Sequence, residues 1–336
     1  MATWKNSKLK MAALGLAVAM AIGAIGCGGG AKKEEPKKWS KANVGIVQLV
    51  EHAALDAANK GFVEGLARKG YKEGENITYD RQNAQADQSN LQNIANRFVN
   101  NKVDLICAIA TPAAQTVANA TSTIPIVGTA ITDYEAAKLV KSNTKPGTNV
   151  TGTTDMNPVA AQLDLLLKIK PGIKTVGTIY TSSEVNSQIQ INILKKAAAE
   201  KNVKVVEATV SSVNDIQQAA RSLVGKCEGL YIPTDNILAS AMPTLVMITD
   251  EAKLPVLCGE ENMVAAGGTA TLGVNYYELG LVTGEMAADI LAGKAKPQEM
   301  AIQSQKKFTP VINKKVADKI GLKIADDLYK GATVIR

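Results

Sequence analysis

Aromatic side chains are scarce in this 336-residue chain: Phe, Tyr and Trp together make up 4%. Its two tryptophans are Trp4 and Trp39, so the long body of the chain has no indole face on which to stack a sugar ring. Histidine is scarcer, with His52 alone. The four cysteines, Cys27, Cys107, Cys227 and Cys258, show no metal-ligand spacing. Cys107 and Cys258 lie inside apolar runs, so the last three cysteines read as small core residues and no metal site is expected. The chain contains no Gly-x-Ser-x-Gly elbow, paired catalytic carboxylate motif or Cys/His dyad, which argues against an enzyme. It also lacks a Gly-rich phosphate loop ending in Lys, and no cofactor is expected. The net charge of +7 is scattered, as on solvated faces, so no nucleic-acid footprint is read.

The N-terminus indicates the compartment. Lys5, Lys8 and Lys10 precede an apolar or small-residue run over 11–26, and Cys27 follows Gly26 directly. A basic head, a short apolar stretch and small residues before a cut site form a secretory signal, and the run is too short for a membrane span. The Cys after a small residue resembles a bacterial lipobox, which makes Cys27 the expected lipidated N-terminus. Losing the three lysines of the signal lowers the charge from +7 to +4. Residues 27–40 contain Gly28-Gly29-Gly30 and Lys32-Lys33-Glu34-Glu35-Pro36-Lys37-Lys38, too polar to build a core, and are expected to form a tether.

The remaining chain, long enough for two cores, alternates strand and helix. Apolar strands are expected at 43–48, 77–81, 105–110 and 125–130. Helix faces fall between them at Leu55, Ala58, Phe62 and Leu66, and at Leu91, Ile94, Ala95 and Phe98. The pattern then repeats, with strands at 174–180, 203–208, 229–232 and 255–258 and helices at 186–201 and 237–252. Val44-Gly45-Ile46-Val47 answers Val176-Gly177-Thr178-Ile179, and Ile124-Pro125-Ile126-Val127 answers Leu254-Pro255-Val256-Leu257. The fold class is therefore α/β, two doubly wound parallel-sheet lobes joined by a hinge of three crossovers. Residues 41–152 plus 276–304 are expected to form the first lobe. Residues 153–275 plus 305–336 are expected to form the second. Such sheets bind ligands beyond the carboxyl ends of their strands, so the site is expected in the loops after them, with two lobes facing across a cleft. These loops are polar in both copies. Helix capping alone accounts for part of that polarity.

Five segments carry a resemblance: Val50-Glu51-His52-Ala53-Ala54-Leu55-Asp56, 83–90, Ala110-Thr111-Pro112-Ala113-Ala114-Gln115, Pro233-Thr234-Asp235-Asn236 and Gly273-Val274-Asn275-Tyr276-Tyr277. Together they resemble the substrate-binding lipoproteins of ABC importers, in the branch that includes tryptophan-, tyrosine- and phenylalanine-binding proteins. One departure is Ala53, where this branch has Pro. The resemblance implies a monomeric receptor of type I periplasmic-binding-protein fold, held to the outer face of a bacterial membrane by its lipid anchor. It would deliver an aromatic amino acid to a permease driven by an ATPase.

The expected ligand-binding set is His52, Thr111, Ala113, Ala130, Thr132, Ser182, Ser183, Asn186, Ser187, Asp235, Asn236 and Glu260. Thr111, at a helix start before Pro112, and Thr132 suit a carboxylate, because hydroxyls and helix N-termini donate to anions. Asp235 is the expected partner of the ligand ammonium, with Glu260 as its rival. Tyr134 and Tyr276 are candidate walls, and Tyr276 a candidate hinge residue. Two competing readings remain open at this point: another small solute such as a sugar or nucleoside on the same fold, and a surface receptor or adhesin without transport.

Overall fold

The computed structural model describes residues 41–336; the signal, Cys27 and tether expectations lie outside the described residues. The chain runs through β1 (Ala42–Gln48), α1 (Ala53–Arg68), β2 (Ile77–Asn83), α2 (Gln88–Asn100), β3 (Leu105–Ile109), α3 (Thr111–Ala120), β4 (Ile126–Ile131) and β5 (Val150–Thr154). It continues through α4 (Val159–Ile169), β6 (Thr175–Thr181), α5 (Val185–Glu200), β7 (Lys204–Val210), α6 (Ile216–Leu223), β8 (Gly229–Ile232), α7 (Asn236–Ser240), α8 (Met242–Glu251), β9 (Val256–Cys258), α9 (Glu261–Ala265) and β10 (Ala270–Gly273). It ends with α10 (Tyr276–Leu291), β11 (Gln303–Ser304), β12 (Thr309–Asn313), α11 (Lys314–Lys319) and β13 (Thr333–Ile335).

Two sheets organise these elements. The first has the order β11-β5-β4-β3-β1-β2, and the second β13-β12-β10-β9-β8-β6-β7. Among the described residues every strand pairing is parallel except β10 with β12. Strands β1 to β5 and β6 to β10 therefore occupy matching sheet positions, which is the structural form of the letter repeat. The chain passes from one sheet to the other after β5, after β10 and after β11. β3 and β4 are buried at every position, as parallel strands covered on both faces must be. One apolar cluster fills the first lobe, and two others lie in the second. Cys107, Cys227 and Cys258 are free and buried.

The structure departs from the sequence reading in places. The helix expected over 237–252 is two helices, broken at Ala241 (φ −127°) because Pro243 sits in the first turn of α8 and has no N–H to continue α7. The first lobe, expected to pass to the second after residue 152, runs to the end of β5 (Val150–Thr154), and the crossing follows it. α4, α9, β10 and the full length of α10 were not anticipated. α10 follows a strand of the second sheet, yet it packs on α1 of the first lobe. The two helices meet at glycines: a Cβ on Gly61 would run into the Tyr277 carbonyl oxygen, and one on Gly280 into that of Ala58.

Candidate functional site

The carboxyl ends of the strands in both sheets converge on one cleft. Its walls are His52 and Leu55 at the start of α1, Ala130 near the end of β4 and Thr132 just after it. Asp155 comes from the first crossover, Tyr276 from the first residue of α10, and Asn186, Thr234, Asp235, Asn236, Ala239, Glu260 and Met263 from the second lobe. The unfilled space among them, open solvent at the mouth included, is about 290 Å³, and little of it is wide enough for a water molecule, so the walls stand close together. Two contacts bridge the lobes across it: Thr132 Oγ1 lies 3.5 Å from Thr234 Oγ1, and His52 Nε2 lies 3.5 Å from Asn236 Oδ1.

Acids dominate this cleft. Among the described residues the buried charged side chains are Asp155, Glu184, Asp235 and Glu260. All four lie in or beside the cleft, and no Lys or Arg lines it. Burial raises the carboxyl pKa of each, opposed by the hydrogen bonds it accepts. Glu260 is pushed up to about 7, and the Asp235 charge adds to the upward shift of Glu184. Burial pulls His52 down to about 4, so the imidazole is neutral at physiological pH and offsets none of this charge.

The acids differ in how many acceptor positions remain, out of about four per carboxylate. Asp235 has none. It accepts from Thr181 N (2.6 Å), Thr181 Oγ1 (2.8 Å), Ser187 Oγ (2.8 Å) and Leu238 N (2.9 Å). It is the N-cap of α7 and ties that helix to the end of β6, so its expected role as the free ammonium partner is corrected here. Glu260 caps α9 and accepts from Met263 N (2.7 Å), Asn262 N (2.6 Å) and Asn262 Nδ2 (3.0 Å). Asp155 accepts only from Thr132 Oγ1 (2.9 Å) and Tyr276 Oη (2.6 Å).

Seven of the expected site residues line the cleft: His52, Ala130, Thr132, Asn186, Asp235, Asn236 and Glu260. Five do not. Thr111 and Ala113 are buried in α3. Ala110 makes the turn into that helix at φ +88°, and Thr111 Oγ1 is left without a hydrogen-bond partner. Ser182 and Ser183 face solvent. Ser187 is buried and spends its hydroxyl on Asp235. Tyr134 is likewise no wall: it is fully buried and donates to the Gly128 and Thr153 carbonyls, 2.9 and 3.0 Å, where the β4–β5 register shifts. Among the residues sequence reasoning missed are Asp155, Thr234 and Met263. Thr234 sits inside a loop already singled out. Asp155 directly follows β5, and a polar residue at a strand's carboxyl end was the available signal.

The helix ends facing the cleft are also unlike. α1 begins at His52 with no side-chain cap, so its first amides stay open, whereas α7 and α9 are stopped by Asp235 and Glu260. The first arrangement suits an anion and the second a cation.

Comparison with known proteins fits this geometry. A family model described as ABC transporter substrate binding protein matches residues 43–335. The tyrosine-binding protein of Clostridioides difficile is 47% identical over 264 residues, 79% of this chain and 76% of that one. A domain from Streptococcus pneumoniae solved in complex with L-Trp is 38% identical, with TM-score 0.85 over 88% of this chain and all of that one. The ligand-free, open structure of a Clostridium difficile substrate-binding protein with adhesive properties is 43% identical, covering 88% of this chain and 99% of that one. Its TM-score is 0.68. The lower score at higher identity places the lobe arrangement here nearer to that of the L-Trp complex.

Proposed function

The chain belongs to the ABC transporter substrate-binding protein family, and from that premise we propose that it captures an aromatic α-amino acid in the interlobe cleft and does no chemistry on it. It then delivers the ligand, as a monomer, to a permease driven by an ATPase. The observation that carries this reading is the cleft's polarity: buried carboxylates without a cation, facing an uncapped α1. A zwitterion answers both ends, with its ammonium toward the acids and its carboxylate toward the α1 amides and the loop after β4. Leu55, Ala239 and Met263 offer apolar contact for the side chain, and Met adapts well to aromatic rings. Tyrosine and tryptophan, the ligands named for the two relatives, are the first candidates.

Thermal unfolding in the presence of candidate solutes tests the ligand class. L-tyrosine or L-tryptophan at about a hundred times the dissociation constant should add roughly 2.7 kcal/mol. A response to a hexose or nucleoside with none to any aromatic amino acid would overturn the reading. The proposal includes anchoring through a lipid on Cys27. Cys27→Ala should release the protein or leave unprocessed precursor, and a membrane-bound mutant of normal mature mass would contradict it.

A further inference from the structure

Three features single out the first crossover. Asp155 is 3% exposed and lines the cleft, yet each of its carboxylate oxygens accepts a single hydrogen bond. Of the three acids on the cleft wall it retains the most acceptor capacity, since Asp235 accepts four hydrogen bonds and Glu260 three. Its two donors both come from the first-lobe side of the hinge. Thr132 follows β4 in the first lobe, and Tyr276 opens α10 just after the second crossover.

A second, independent observation lies beside it. Asn186 is 3% exposed, and its Oδ1 has no hydrogen-bond partner. The amide orientation is fixed by its other end, because Nδ2 donates to Glu184 Oε2 (2.8 Å) and to the Thr234 carbonyl (3.1 Å). Turning it over would set a carbonyl against two acceptors. A buried acceptor without a donor costs free energy that a ligand N–H can recover. Thr234 links the two residues, since its Oγ1 lies 3.5 Å from Thr132 Oγ1, which in turn donates to Asp155.

Building on the proposed function, we propose that Asp155 is the charged partner of the ligand's ammonium and that Asn186 Oδ1 accepts a second of its protons. The ammonium is thereby held where the first lobe meets the hinge. It stays in place while the lobes close, and Asn186 reaches it from the second lobe as they do. The cleft accordingly selects for a primary ammonium and not only for an aromatic ring. Without one, a desolvated carboxylate and an orphaned carbonyl remain buried, and a site built to hydrogen-bond a group rejects analogues that lack it far more strongly than a missing methylene would imply.

Calorimetric titration with L-tyrosine and its desamino analogue, 3-(4-hydroxyphenyl)propionate, tests this. The wild-type protein should prefer tyrosine by about a hundredfold or more, the size expected when one partner of a buried charge pair is removed. In Asp155→Asn that preference should collapse to within about fivefold, chiefly through weaker tyrosine binding, while Asp155→Glu retains part of it. Asn186→Leu should weaken tyrosine about tenfold, as for one lost hydrogen bond. If Asp155→Asn does not fold, Asp155→Ser gives the same neutral test. A preference that survives in the neutral variant, or that collapses in Glu260→Gln instead, overturns the assignment while leaving the ligand class intact. Failure of the wild-type protein to bind any aromatic amino acid overturns both.

Discussion

The two lobes share a strand order but finish their strands differently. In the first, the loops that reach the cleft bring an imidazole, a hydroxyl and backbone. Ala110 and Ala130 lie at φ +88° and +56°, a region unfavourable for residues with a Cβ, and both follow or end strands that point at the site. In the second, the loops after β6, β8 and β9 bring Glu184, Asp235 and Glu260. One architecture thus presents open amides on one side and buried carboxylates on the other. Duplication of a fold supplies the two jaws, and divergence at a few strand ends supplies a dipolar cleft between them.

The matched capping positions give the sharpest test. β3 and β8 hold the same place in their sheets, and the helices that follow begin after Ala110 and Asp235. Asp235→Ala leaves the amides of Thr181 and Leu238 without their acceptor, and two hydroxyls as well. At about 1–3 kcal/mol for each buried unsatisfied donor, we expect a loss of about 4 kcal/mol or more, measured by denaturant unfolding. A loss below about 1 kcal/mol would show that Asp235 is not the keystone of the second lobe.

The first lobe is held at a different place, the glycine contact between α1 and α10. Gly280→Ala sets a methyl against the Ala58 carbonyl and should cost about 1–3 kcal/mol, the range for overpacking. Unchanged stability would mean that the two helices separate freely.

Protons should distinguish the lobes next. Glu260 carries a pKa near 7, above its ordinary 4.5. Between those values the folded protein binds a proton that the unfolded chain does not, so this group makes stability fall as pH rises through that window. A bound ammonium favours the charged carboxylates and lowers their pKa values. Binding should therefore release protons near pH 6–7, and affinity should rise with pH there. Titration calorimetry in buffers of different ionisation enthalpy measures the release, and uptake would contradict it. His52, already neutral above about 4, should contribute nothing.

The smallest effect is expected at Thr111. Its hydroxyl is buried without a partner, so Thr111→Val should change stability by less than about 1 kcal/mol and leave ligand affinity within a few-fold. A large loss of affinity would restore the carboxylate role that the sequence suggested.

Much of this was legible in the letters. Apolar runs bounded by polar loops place β1, β3, β4, β6 and β8, because strands covered on both faces have little freedom of composition. The repeat locates the cleft. Assigning roles within it failed where one letter serves two purposes. An Asp before a helix reads the same whether it caps or binds, and only the four donors around Asp235 decide the matter. Asp155 escaped notice because it follows β5, a short Thr-rich strand that the apolar pattern does not mark. Thr111 was overvalued because the turn at Ala110, which buries its side chain, leaves no mark on the sequence.

The pairing of α1 with α10 has a temporal consequence. Arg68 ends one helix and Leu291 the other, so more than two hundred residues must be made between them. At about 5–20 residues per second, the glycine face of α1 waits on the order of ten to forty seconds for its partner. The larger part of the second lobe, from α4 to β10, is contiguous and can begin to assemble during that interval, while its β12 and β13 are made last. Until α10 is made, the face of α1 that it covers stands open to any chaperone that holds nascent chains.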